Sequence, residues 1–266
     1  MALNKKTTKQ GHKPKKYLGQ NFLIDKNILK KIVQTADLKK SDYVLEVGPG
    51  QGCLTQELAL RTNQVLAVEK DKDLIADLTN QGWANVQVVQ ADVLCLTDET
   101  LRQYLRGQKY RVIANLPYNI SSEFIKLFLE REYAPTSMIL MLQKEVAERI
   151  CAKNGENSVL SLSVQFYCEP EIKFFVKKNS FKPIPKVDSA IIEFRNIHKN
   201  KSAVEPKRFF QLIKKAFGQK RKQLKNNLKD YGHKKVQEKL ADLGYDGSTR
   251  AEELTFLDWV KLAQVL

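Results

Sequence analysis

Tyr43-Val44-Leu45-Glu46-Val47-Gly48-Pro49-Gly50-Gln51-Gly52 decides the fold. Residues 43–47 read as a strand, and 53–60, just beyond the glycines, read as a helix. A strand that passes through a glycine-rich turn into a helix opens a nucleotide-binding α/β sheet. The glycines let the backbone turn tightly and approach a ligand closely. Pro49 stiffens the turn. Taken alone, such a loop is also compatible with an ordinary tight turn.

Working outward, strands and helices alternate. Strands are expected at 64–68, 86–89, 111–114 and 138–142, with helices at 71–78, 98–105, 122–130 and 144–152. Asp25 is placed to cap an earlier helix running to about Asp37. The segments 171–176 and 190–194 are β-like and nearly consecutive, which suggests an antiparallel pair. This order implies a Rossmann-like, mostly parallel sheet covered on both faces, with an antiparallel last strand. After residue 200 the pattern turns helical. Phe209, Phe210, Leu212, Ile213, Ala216 and Phe217 have helical spacing, Leu224 and Leu228 continue it, and 254–266 forms a last amphipathic helix. The expected organisation is a flexible basic arm at 1–16, an α/β domain at 17–199 and a small all-helical domain at 200–266.

Gly48, Glu69, Asp92 and Asn115 each follow a successive strand, at intervals of 21, 23 and 23 residues. In an open α/β sheet those strand ends line one crevice, the usual ligand position. A dinucleotide would use G-x-G-x-x-G, but the third position of that frame here is Cys53. Glu46 adds a negative charge just before the loop, which suits a cationic or zwitterionic ligand better than a pyrophosphate. S-adenosylmethionine carries a sulfonium and an ammonium, and so fits. Glu69 can accept from a ribose diol and Asp92 from an adenine amino group, while Asn115 sits where the methyl is delivered. Each acid alone could be a helix cap; four positions in register make that reading poor.

Asn115-Leu116-Pro117-Tyr118 supplies an amide oxygen, a backbone carbonyl and an aromatic ring at the end of a strand. The Asn115 oxygen and the Leu116 carbonyl can accept both hydrogens of an exocyclic amine, while Tyr118 stacks on its base. Pro117 fixes the turn and restricts Leu116 to extended geometry. The longest apolar run, 138–142, is far too short to span a bilayer, and no apolar segment follows the basic N-terminus as a secretory signal would require. Cys53, Cys95, Cys151 and Cys168 are widely spaced and apart from the three histidines, which argues against a metal site and fits a reducing, cytoplasmic compartment. The net charge of +15 is localised: residues 1–16 hold six lysines and no acid, and residues 199–239 hold fourteen Lys or Arg against three acids. The remainder is near neutral. Charge placed this way points to a polyanionic partner, above all nucleic acid. Lys220, Arg221, Lys222 and Lys225, with the lysines of the arm, are the candidate phosphate contacts.

Several ordered stretches resemble the ribosomal RNA adenine dimethylase family. They are Gly19-Gln20-Asn21-Phe22-Leu23, the Glu46–Gly52 loop, Asn115-Leu116-Pro117-Tyr118-Asn119-Ile120-Ser121-Ser122 and Phe181-Lys182-Pro183-Ile184-Pro185-Lys186-Val187-Asp188-Ser189. Phe217-Gly218-Gln219-Lys220-Arg221-Lys222 resembles the family's C-terminal helical part. Pro49 and Leu116 resemble the small-subunit branch more than the large-subunit macrolide-resistance branch. The resemblance implies a monomeric S-adenosylmethionine-dependent enzyme that needs no metal. Its partner would be small-subunit rRNA within a pre-30S particle, where N6 of two adjacent adenosines in the 3′-terminal hairpin loop is dimethylated. It also implies that Asn21 and Leu23 close over the cofactor beside Gly48, Gly50, Glu69, Asp92 and Asn115, and that Phe181 supplies a second aromatic wall. A large-subunit methylase and a non-catalytic RNA-binding assembly factor stay open as alternatives.

Overall fold

The computed structural model describes residues 14–152, 155–198, 204–219 and 221–266. A short strand β1 (Phe22–Leu23) and helix α1 (Lys26–Ala36) lead into β2 (Tyr43–Val47), α2 (Cys53–Ala59), β3 (Gln64–Glu69), α3 (Lys72–Thr79) and β4 (Val86–Gln90). Next come α4 (Asp98–Tyr104), β5 (Tyr110–Asn115), α5 (Ser121–Glu130), β6 (Ser137–Gln143), α6 (Lys144–Ile150) and α7 (Val159–Tyr167). The sheet region ends with β7 (Glu169–Val176), β8 (Phe181–Lys182) and β9 (Ser189–Arg195). Helices α8 (Pro206–Ala216), α9 (Leu224–Asn227), α10 (His233–Asp242) and α11 (Phe256–Val265) complete the chain.

The main sheet has the order β4-β3-β2-β5-β6-β9-β7. Strands β2 to β6 are mutually parallel, and β9 runs antiparallel between β6 and β7. This is the Rossmann-like sheet with an antiparallel last strand that the alternation implied. Strand β2 lies between β3 and β5, so the chain leaves it in both directions and a crevice opens beyond the strand ends. The alternation along each strand sorts side chains onto two cores. Val44, Val65, Ala67, Ile113 and Ile139 share one core with Ile32 and Leu58 from α1 and α2. Leu45, Leu66, Val112 and Leu140 share the other with Phe124 of α5 and Phe166 of α7. Both faces are buried, which is why these strands read as continuous apolar runs.

Three features depart from the sequence reading. Helix α7 is absent from the expected elements; Ser158 and Ser161 cap it reciprocally, and its apolar residues are spread around it with serines and a glutamine between them, so it shows little amphipathic periodicity. The helix expected to run from Phe209 through Leu228 stops at Ala216. Asn227 on α9 folds back and donates to the carbonyls of Ala216 (2.6 Å) and Gln219 (3.1 Å), so the two helical stretches form a corner. Finally, the C-terminal helices do not enclose a core of their own. Phe209 packs on Phe166 with ring centroids 4.6 Å apart, and Leu212, Leu240 and Trp259 join the same buried cluster as the sheet.

Candidate active site

Parallel register brings the ends of successive strands to one edge. Val47 pairs with Val68, Glu69 with Gln90 and Asn115 with Met141. A cavity of about 220 Å³ lies there, lined by Gly48, Gly50, Glu69, Asp92 and Asn115, with Asn21 and Tyr118 on its rim. The four positions in cadence are thus brought together.

Each is held by specific contacts. Gly48 and Gly50 have φ of +65° and +58°, conformations that glycine adopts without steric cost. The Glu69 carboxylate is buried and accepts from the backbone N–H of Gly50 (3.1 Å) and Asp71 (2.8 Å). Burial pushes Glu69 up from the usual carboxylate range, while the N–H groups of Asp71 and Gly50 pull it down. Two of its acceptor positions are used, which leaves others for a diol in the cavity. Asp92 accepts from the Leu94 N–H (3.1 Å) and from Lys70 (2.7 Å), and the Lys70 ammonium holds its carboxyl below the usual range. The sequence reading did not include Lys70, whose side chain lies beside the crevice.

Asn115 is oriented from an unexpected side. Its side-chain nitrogen donates to the backbone carbonyl of Asn21 (3.1 Å), which leaves the amide oxygen as the acceptor on offer. Ser121 donates to the carbonyls of Pro117 and Tyr118, both at 3.2 Å, and so fastens the turn that carries them. The Tyr118 hydroxyl bonds Ser189 Oγ at 2.7 Å, and burial raises its phenol.

Residues 17–22 line the cavity as the middle of a strap that runs from Lys15 to Leu23. Gln20 donates to Asp71 (2.8 Å), and Lys15 pairs with both Asp71 and Asp73. Lys15 belongs to the segment expected as a flexible arm, but its ammonium is engaged here; residues 1–13 lie outside the described residues. Beyond the strap, β1 pairs with β8, setting Leu23 opposite Phe181. In the sequence Asp71 marks only a helix start. It does cap α3, accepting from the Asp73 N–H, and its strap contacts come from residues more than fifty positions away.

Leu23 and Phe181 do not line this cavity. Leu23 borders a neighbouring space of about 40 Å³ that also touches Glu46, Gly48, Gly50 and Asn115. Phe181 is 1% exposed and belongs to the core cluster containing Leu23, Leu29 and Ile32, so it supports the β1–β8 ribbon from beneath instead of forming an aromatic wall. Alternation in the short strand sends Phe181 inward and Lys182 outward. Of the candidate phosphate contacts, Arg221 and Lys222 are exposed, Lys225 lies partly buried against Gly247, and Lys220 lies outside the described residues.

Glu46 tests which ligand the site suits. It is buried on the second strand with Oε2 lacking any hydrogen-bond partner among the described residues. Burial pushes its carboxyl up to about 8; the charge of Glu69 adds to this and Thr55 opposes it. Glu46 borders the neighbouring space, which shares Gly48, Gly50 and Asn115 with the cavity, and a cationic group bound there would stabilise its ionised form whereas a phosphate would not. The donor set therefore fits S-adenosylmethionine.

Sheet order, crevice and amide together define a Rossmann-like methyltransferase. Solved structures agree. A dimethyladenosine transferase from Plasmodium falciparum superposes with a TM-score of 0.78 at 27% identity, over 90% of this chain and 95% of that one. The 23S rRNA methyltransferase ErmE gives 0.76 at 28% identity, over 92% and 98%. A family model, ribosomal RNA adenine dimethylase, matches residues 11–266. Curated relatives called ribosomal RNA small subunit methyltransferase A are 42% identical in Dehalococcoides mccartyi (94% of this chain, 87% of the relative) and 41% in Enterococcus faecalis (97% and 92%). The chain belongs to the ribosomal RNA adenine dimethylase family. Its chemistry is S-adenosylmethionine-dependent methylation of rRNA.

Proposed function

We propose that this enzyme dimethylates N6 of two adjacent adenosines in the 3′-terminal hairpin loop of small-subunit rRNA, on a pre-30S particle, as a cytoplasmic monomer. The observation that carries the chemistry is the Asn115 amide, whose nitrogen is taken by Asn21 so that its oxygen is the acceptor presented. Small-subunit specificity rests on the names of relatives that match nearly the whole chain, and on Pro49 and Leu116.

An adenine N6 lone pair is delocalised into the ring and is a poor nucleophile. Asn115 Oδ1 and the Leu116 carbonyl accept its two hydrogens and favour a pyramidal amine with the lone pair directed along the cavity. This is an orientation and electrostatic effect. Tyr118, tethered through its hydroxyl to Ser189, stacks on the extruded base. Glu69 holds the ribose hydroxyls, Asp92 the adenine amine and Glu46 the cationic end of S-adenosylmethionine. When bound, that cofactor supplies an electrophilic methyl group on sulfur. Gly48 and Gly50 allow close backbone approach, and the strap with Asn21 excludes water, with Leu23 anchoring its end. No general base is required, because the amine becomes acidic only after transfer and solvent can take the proton. The helices after residue 204 serve as an RNA-binding unit, with Arg221, Lys222 and Lys225 contacting phosphates.

Under-methylated small and large subunits, each incubated with the enzyme and methyl-labelled cofactor, provide the test. Label should enter the small subunit and map to two adjacent adenosines near the 3′ end, and Asn115→Ala should bind RNA but lose turnover by about 10²-fold or more. Label confined to the large subunit would support the ErmE-like reading instead.

A further inference from the structure

We propose that the connection from β7 to β9, residues 177–187, is a second RNA contact surface that grips the strand flanking the target base. The inference rests on the reading of rRNA as substrate. Between Glu171 and Asp188 the chain carries five lysines and no acid, an excess hidden within a body that is near neutral as a whole. Lys177, Lys178, Lys182 and Lys186 are all exposed. Lys177 pairs with Asp188 at 3.1 Å while its side chain stays 82% exposed. Among the described residues, no carboxylate pairs with Lys178, Lys182 or Lys186.

Large apolar side chains stand exposed among these cations: Phe175 at 49%, Ile184 at 61% and Val187 at 43%. Phosphates answer lysines and unstacked bases answer apolar side chains, so single-stranded RNA satisfies both. The surface is also preformed. The Asp188 carboxylate accepts from the Lys178 N–H at 2.9 Å, and its carbonyl from the Lys144 N–H at 3.0 Å. Ser180 accepts from the Ile24 N–H at 2.9 Å, and Lys182 sits opposite Phe22 in the β1–β8 ribbon.

Position relative to the chemistry completes the case. The connection ends two residues before Ser189, whose hydroxyl holds Tyr118 at 2.7 Å. Its β8 partner, β1, directly follows Asn21, which orients Asn115. A strand whose target base stacks on Tyr118 therefore leaves the pocket beside these lysines. Phosphate contacts of this kind position the strand without reading its sequence.

The test compares the wild type with the triple variants K178Q/K182Q/K186Q and K178R/K182R/K186R on a naked hairpin RNA carrying the target loop. In the glutamine triple, RNA affinity should fall about tenfold near 0.1 M salt, and the slope of log affinity against log salt should shrink by about 2. Its affinity for S-adenosylmethionine and its kcat at saturating RNA should be unchanged, which also reports that it folds. The arginine triple should restore RNA binding. Unchanged RNA affinity and salt slope in the glutamine triple would overturn the proposal, even if binding to whole subunits weakened, because that pattern belongs to an acidic protein surface. Should the wild type label the large subunit instead, the small-subunit reading fails, and the same comparison on that RNA still decides the surface.

Discussion

Asn115 uses its two ends differently: the nitrogen fastens the strap at Asn21, which leaves the oxygen as the acceptor of a residue that lines the cavity. The residue type was legible in the sequence because an amide beside a carbonyl and an aromatic ring has few other uses. The direction in which it points was not, since its partner lies 94 positions away. Glu46 is the converse case. Its charge was visible, but only the fold buries it with no partner for Oε2 among the described residues. Its carboxyl, pushed up to about 8 from an ordinary 4.5 by burial, binds a proton more tightly in the folded state than in the unfolded one. Its contribution to stability is therefore complete below about 4.5 and is lost as pH rises through about 8. Glu46→Gln should flatten the fall in Tm between pH 5 and 8, measured on the cofactor-free protein. A fall of equal steepness in the variant would mean that another group titrates. Phe181 marks the limit of motif reading: its neighbours in the motif reach the surface, while its own ring is needed in the core.

At the scale of elements, the glycine loop and the strap are one device. A Cβ on Gly50 would stand 2.8 Å from the Phe22 ring, and φ there is +58°, so a side chain is excluded both by conformation and by contact. Gly50→Ala should therefore displace Phe22 and weaken S-adenosylmethionine binding by about tenfold or more, read by calorimetric titration, with far-UV circular dichroism unchanged. Wild-type affinity in that variant would show that the strap is not seated on the loop. The loop itself was legible because positive-φ glycines after a strand are a local signal. The β1–β8 ribbon was not, because two-residue strands carry no periodicity and pair across more than 150 positions. Helix α7 escaped for a related reason. Its sequence, Val159 to Tyr167, carries apolar residues all round and so shows no charged or strongly polar face.

In the molecule as a whole, the sheet and the C-terminal helices share one core, joined where Phe166 meets Phe209. Phe166 is fully buried, and its replacement by Ala should cost about 3–5 kcal/mol. Because the core is continuous, unfolding should remain one cooperative transition. In a Trp83→Phe background, which leaves Trp259 of α11 as the sole tryptophan, denaturant midpoints from fluorescence and from far-UV circular dichroism should coincide with and without Phe166→Ala; separated midpoints would show two independently folding units. Charge also takes its meaning at this scale. Lysine counts along the chain pointed to residues 1–16 and 199–239, whereas the fold engages Lys15 at Asp71 and leaves Lys178, Lys182 and Lys186 exposed on the connection that leads to Ser189, the partner of Tyr118. By itself the sequence determined the alternating sheet, the strand-end cadence of Gly48, Glu69, Asp92 and Asn115, and the amine-gripping turn, because period, glycine conformation and spacing are local properties of a chain. Only the tertiary structure decided that Asn115 turns its nitrogen to Asn21, that Phe181 is core, that Glu46 is buried and that the helices share a core with the sheet. Each of those depends on a contact between residues far apart in sequence, and no local pattern encodes such contacts.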